Sequence, residues 1–132
     1  MTWQGRAGDT FFMQSGLSEH LFVVLTDPNT YPDEGYGQRF CLVSVNFTSV
    51  RDGRNIDNAC IITAGEHPFI QHDSYVLYEK MEFMDYERTL QAVNDGVYRA
   101  STPVSSELLQ RIINGIQQSG SVKRKFKILF RR

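Results

Sequence analysis

The chain has 132 residues, enough to bury one hydrophobic core and short of the usual size for two, so residues 1–132 are read as a single domain. With 41% hydrophobic and 22% charged residues, it falls outside the disordered and fibrous classes. The net charge of -1 conceals a segregation: six of the 14 basic residues (Lys123, Arg124, Lys125, Lys127, Arg131 and Arg132) follow Val122 with no acid among them, which makes 123–132 a basic C-terminal segment behind an acidic body.

Residues 11–13 (FFM) and 20–26 (HLFVVLT) are short apolar or β-branched runs joined by a polar, glycine-containing turn, so the chain is expected to begin with two strands. Residues 27–37 concentrate Pro, Gly, Asn and Asp and predict a long surface loop. Within and beside that loop, Tyr31, Tyr36 and Phe40 together with Arg39 offer aromatic and cationic surface of the kind that binds single-stranded RNA.

Residues 41–47 (CLVSVNF) alternate too little for a half-exposed strand and predict a central one covered on both faces. A turn at 51–55, a strand at 59–63 ended by Gly65, and a strand at 74–78 (SYVLY) follow. Ser105 or Ser106 caps a helix whose Leu108, Leu109, Ile112, Ile113 and Ile116 form one apolar stripe, with Gly120 as its stop. Residues 125–130 (KFKILF) then read as a last strand with a basic edge. Five to six short strands and one late helix predict a mostly β fold, a small barrel with a C-terminal α-helix.

No apolar run approaches the roughly 18 to 20 residues needed to cross a bilayer, and the N-terminal MTWQGRAGD lacks the apolar centre of a secretory leader, so the expected location is the cytoplasm, away from membranes. Cys41 and Cys60 lie inside apolar runs without redox or zinc spacing, and buried reduced thiols are expected.

Chemistry concentrates around the three histidines. His20 opens the second strand, and His67 and His72 flank Pro68-Phe69-Ile70 just before the SYVLY strand. Histidine trades protons near neutral pH, so two of them beside a phosphodiester suit the roles of base and acid. Glu66, His67, His72 and Asp73 are the rival metal set. The five-residue histidine spacing across a proline matches no helical ligand motif, and no metal or cofactor is assigned. Thr48 and Ser49 end the central strand with two hydroxyls suited to phosphate oxygens. Glycine-rich phosphate loops, dinucleotide fingerprints and nucleophile elbows are absent from the sequence.

Taken in order, Gly8-Asp9-Thr10, the VVLT strand, the strand ending in Thr48-Ser49, His67-Pro68-Phe69-Ile70, the SYVLY strand and the helix at 105–119 resemble the PemK/MazF-like toxin family. The resemblance implies a small SH3-like barrel ending in a helix. It also implies a metal-independent endoribonuclease that cleaves single-stranded RNA, forms a homodimer and is neutralised by a small antitoxin protein.

In that family an arginine before the second core strand and a threonine or serine ending the next work on the scissile phosphate. Motif matching puts His20 at the arginine position and Thr48 at the hydroxyl. Histidine lacks the permanent charge and bidentate fork of arginine. The catalytic group is therefore read as His20 taking the 2'-hydroxyl proton with Thr48 or Ser49 donating to the phosphate, and Arg51 or Arg54 supplying charge. Arg39, His67, His72 and Tyr75 complete the candidate substrate contacts. The alternatives are a catalytically inactive binding module on the same fold, for protein or RNA, and a structural partner in a larger complex.

Overall fold

The computed structural model describes residues 3–51 and 55–131. Its strands are β1 (Thr10–Ser15), β2 (Ser18–Val24), β3 (Asn29–Thr30), β4 (Phe40–Ser49), β5 (Ile61–Ile62), β6 (Ser74–Val76), β7 (Glu82–Asp85) and β8 (Arg99–Ser101). The helices are α1 (Tyr86–Asn94), α2 (Ser106–Gln118) and α3 (Arg124–Leu129). The fold is mostly β, built as one antiparallel sheet in the order β5-β6-β4-β2-β1-β8, with β3 and β7 also paired to β4. The sheet is not closed into a barrel: β5 and β8 stand at its two ends.

Chain reversal between β1 and β2 takes only Gly16 and Leu17, because Gly16 adopts a left-handed φ of 63° that a side chain would disfavour. At ten residues, β4 outlasts its neighbours. It pairs with β2 and β7 along its first half and with β6 from Phe47 onward. Its two faces enter different cores, as the weak alternation of 41–47 predicts. Val43, Val45 and Phe47 pack with Leu21, Val23, Ile112, Ile116 and Phe126, under α2 and α3. Leu42 packs with Phe11, Phe22, Val24 and Val93, under α1 and the Trp3 ring.

The α2 stripe is as expected. Ser105 caps the helix by accepting from the Leu108 N–H at 3.1 Å, and Leu108, Ile112, Gly115 and Ile116 are buried. Tyr78 was expected in a strand, but the chain turns after Val76 and places it in a 3-10 turn, where its buried hydroxyl donates to the Ile112 carbonyl at 2.6 Å. The strand expected at 59–63 contracts to β5.

Residues 125–130 are a helix rather than a strand. Phe126, Ile128 and Phe130 mimic a two-residue period, but Phe126 is buried, Leu129 and Phe130 are half-buried and Ile128 is exposed, which is the i, i+3, i+4 pattern of a docked helix. Reciprocal bonds hold α3 to α2: Gln117 Nε2 donates to the Lys127 carbonyl at 2.9 Å, and Lys127 Nζ to the Gln117 carbonyl at 3.2 Å. Among the described residues, no helix is long and apolar enough to cross a membrane.

Candidate functional site

The β2–β4 ladder ends at the pair Phe22 with Asn46, two residues short of His20 on one strand and of Thr48 on the other. This is where β4 leaves β2 and takes β6 as its partner, with Thr48 opposite Tyr75 and Ser49 opposite Ser74. The splitting of the sheet opens a cleft of about 420 Å³, and His20, Thr48, Ser49, Arg51 and His72 all line it.

Each is positioned from the backbone. The His20 side chain is half-buried where β2 emerges from the core. Val50 N–H donates to the Asp73 carbonyl at 2.9 Å and the Ser74 hydroxyl to the His72 carbonyl at 2.9 Å, so the end of β4 and the approach to β6 are tied together beside His72. Arg51 brings a permanent charge from the segment after β4. Among the described residues Glu19 is the acid of the cleft wall, and it is drawn to Arg99 at 2.7 Å. The Arg99 guanidinium lies 4.2 Å from the centre of the Phe12 ring.

The other expected contacts lie elsewhere. His67 is 1% exposed, and both ring nitrogens are engaged: Nδ1 accepts from the Phe69 N–H at 3.1 Å, and Nε2 donates to the Thr102 carbonyl at 2.6 Å. It ties a loop to the segment before α2 and has no free nitrogen for substrate. Tyr75 is buried and faces a separate groove with Leu77 and Gln118. Arg39 sits 3.8 Å from Asp85 in another groove. Of the loop aromatics, Tyr31 and Tyr36 pack on Phe83 with ring centres 4.8 and 5.5 Å apart, while Phe40 is exposed and lines the groove of Arg39, apart from the cleft. Arg54 lies outside the described residues.

Among the described residues, no group of three or more His, Cys, Asp or Glu side chains is gathered as a metal site. Of the rival set, His67 is occupied as above and Glu66 is paired with Arg111. That pairing, helped by the Thr63 N–H donating at 2.7 Å, holds the Glu66 carboxyl below its ordinary value of 4.5. A lowered folded pKa stabilises the fold above the unfolded value, and the gain is lost as pH falls through the folded value. Because the pair is partly exposed and screened, Glu66→Gln is expected to cost only about 0.5 kcal/mol at pH 7. Urea melts should show that gap closing below about pH 4. Cys41 and Cys60 are free and buried, and burial pushes both thiols up.

Phe69 is a cleft residue to which the sequence alone assigns no role. Phe69 is 49% exposed and lines the wall beside His72. Its only sequence signal was its place inside His67-Pro68-Phe69-Ile70. Compared with protein-family models, curated proteins and solved structures, the chain gives no significant match.

Proposed function

We propose that this cleft cleaves single-stranded RNA by attack of the ribose 2'-hydroxyl on the adjacent phosphate, without a metal, as the PemK/MazF resemblance implies. The observation that carries the proposal is the convergence of two histidines, two hydroxyls and an arginine from separate segments on one cleft. Those are the groups that such a transphosphorylation needs.

His20 takes the 2'-hydroxyl proton as the oxygen bonds to phosphorus. The Thr48 and Ser49 hydroxyls donate to the non-bridging oxygens, and the Arg51 charge offsets the negative charge that gathers there. His72 gives a proton to the departing 5'-oxygen as the P–O bond breaks. The products are a 2',3'-cyclic phosphate and a 5'-hydroxyl, with every proton accounted for by the two imidazoles. A second copy of the chain and a small antitoxin protein are the proposed partners, and the cytoplasm is the proposed location.

The test is incubation of the purified protein with a long, largely single-stranded RNA in excess EDTA, followed by mapping of fragment ends. Fragments ending in 2',3'-cyclic phosphate are expected. Intact RNA after incubation with folded protein would overturn the cleavage reading and leave the binding module in its place.

A further inference from the structure

Most phenylalanines of this chain serve its two cores: Phe11, Phe12, Phe22, Phe47 and Phe126 are all 5% exposed or less. Phe69 is different in both exposure and setting. At 49% exposure it lines the same cleft as His20, Thr48, Ser49 and His72, three residues from the last of these. Its ring touches the edge of the core through Phe12, with centres 4.5 Å apart and planes at 72°.

The segment that presents this ring is held from several sides. Gly65 N–H donates to the Ile70 carbonyl at 2.8 Å, Ile70 N–H to the His67 carbonyl at 2.9 Å, and Phe69 N–H to the His67 imidazole. Glu66 anchors the base of the loop through the Thr63 N–H and Arg111. An aromatic ring left half in water on a mobile tip needs no explanation. Here the backbone is tied to a buried histidine and Phe69 lines the cleft.

We infer that Phe69 is a stacking platform for one nucleobase of single-stranded RNA, adjacent to the phosphate held by Thr48, Ser49 and Arg51. The inference rests on the reading of the cleft as an RNA site and names the subsite that engages the base. Single-stranded RNA is bound through its phosphates by cations and hydroxyls and through its unstacked bases by aromatic faces. Every base offers a π-face, so this contact orients the strand without dictating its sequence.

The experiment measures fluorescence anisotropy with a labelled 2'-O-methyl RNA hexamer, whose blocked 2'-oxygens prevent cleavage, and with the same hexamer made abasic at its two central positions. Wild type is expected to bind the intact hexamer more tightly than the abasic one. Phe69→Ala should weaken binding of the intact hexamer roughly tenfold and leave the abasic one nearly unchanged, whereas Phe69→Trp should keep the preference. Stacking on the new indole should also quench its emission, a readout that serves if the alanine variant does not fold.

Equal affinity of folded wild type and Phe69→Ala for the intact hexamer, no quenching in Phe69→Trp, or no binding of either hexamer by wild type overturns the inference. The EDTA cleavage assay on unmodified RNA judges the other reading separately. Cleavage without any dependence on the ring removes the platform alone, and a ring-dependent preference without cleavage removes the nuclease alone.

Discussion

Alanine at His20 is expected to slow RNA cleavage by about 10²- to 10⁴-fold, the usual worth of a positioned general base. His20 lines one cleft with Thr48 and Ser49, at the point where β2 and β4 diverge. The change is local. The side chain is half-buried at the strand's exposed end, and among the described residues no hydrogen bond to the imidazole supports the fold, so the melting temperature should barely move.

His20→Arg sharpens the test. Arginine supplies a permanent charge but does not give up a proton near neutral pH. If His20 is the base, this variant should be nearly as slow as the alanine variant. If the position serves only as a phosphate clamp, arginine should match or exceed wild type, and the proton-transfer assignment fails. Rates against pH add a second criterion. A neutral base and a protonated acid give wild type a bell-shaped profile. His20→Ala should lose the acid-side fall, where the base would have become protonated, and His72→Ala should lose the alkaline-side fall, where the acid would have lost its proton.

Gly115→Ala in α2 is expected to destabilise the protein by about 1 to 3 kcal/mol, although alanine is intrinsically the better helix former by about 1 kcal/mol. A Cβ built at Gly115 falls 2.2 Å from the Tyr78 hydroxyl and 3.1 Å from the Ala59 carbonyl oxygen. The hydroxyl cannot simply swing away: Tyr78 is 1% exposed, and its hydroxyl is bonded to the Ile112 carbonyl one turn earlier on the same helix. Accommodation requires breaking that bond or lifting α2 off the sheet.

Urea denaturation should therefore show a midpoint shifted well below wild type. Tyr78→Phe removes the nearest obstructing atom at a cost of about 1 kcal/mol for the lost bond. The double variant should then be more stable than additivity of the two single changes predicts. A neutral or stabilising Gly115→Ala would show that α2 and Tyr78 are not packed in this way.

Where periodicity extended over enough residues, it was legible. The five-residue apolar stripe of α2 with its Ser105 cap admits one period only, and residues 41–47 lack alternation because β4 feeds two cores. The six residues of 125–130 were ambiguous. Phe126, Ile128 and Phe130 satisfy a strand, and Phe126, Leu129 and Phe130 satisfy a helix, so docking on α2 decides. Helix α1 escaped notice for a related reason: only Thr89 and Val93 of its nine residues are buried, and its Asp85 cap sits at the end of an unanticipated strand.

The candidate site divides along the same line. Residue chemistry alone singled out the histidines, the Thr48-Ser49 hydroxyls and the arginine after them, because few side chains can exchange protons near neutral pH or hold a phosphate. Sequence position could not separate His67 from His72. They flank the same four residues, yet one is locked inside by the Phe69 N–H and the Thr102 carbonyl, 35 residues away, and the other lines the cleft. Nor could it show that Tyr31 and Tyr36 are spent on Phe83 while Phe69 stands half-exposed. The sequence by itself determined which side chains have the chemistry; only the tertiary structure decided which of them meet, because long-range backbone partners and strand divergence leave no local signature in the chain.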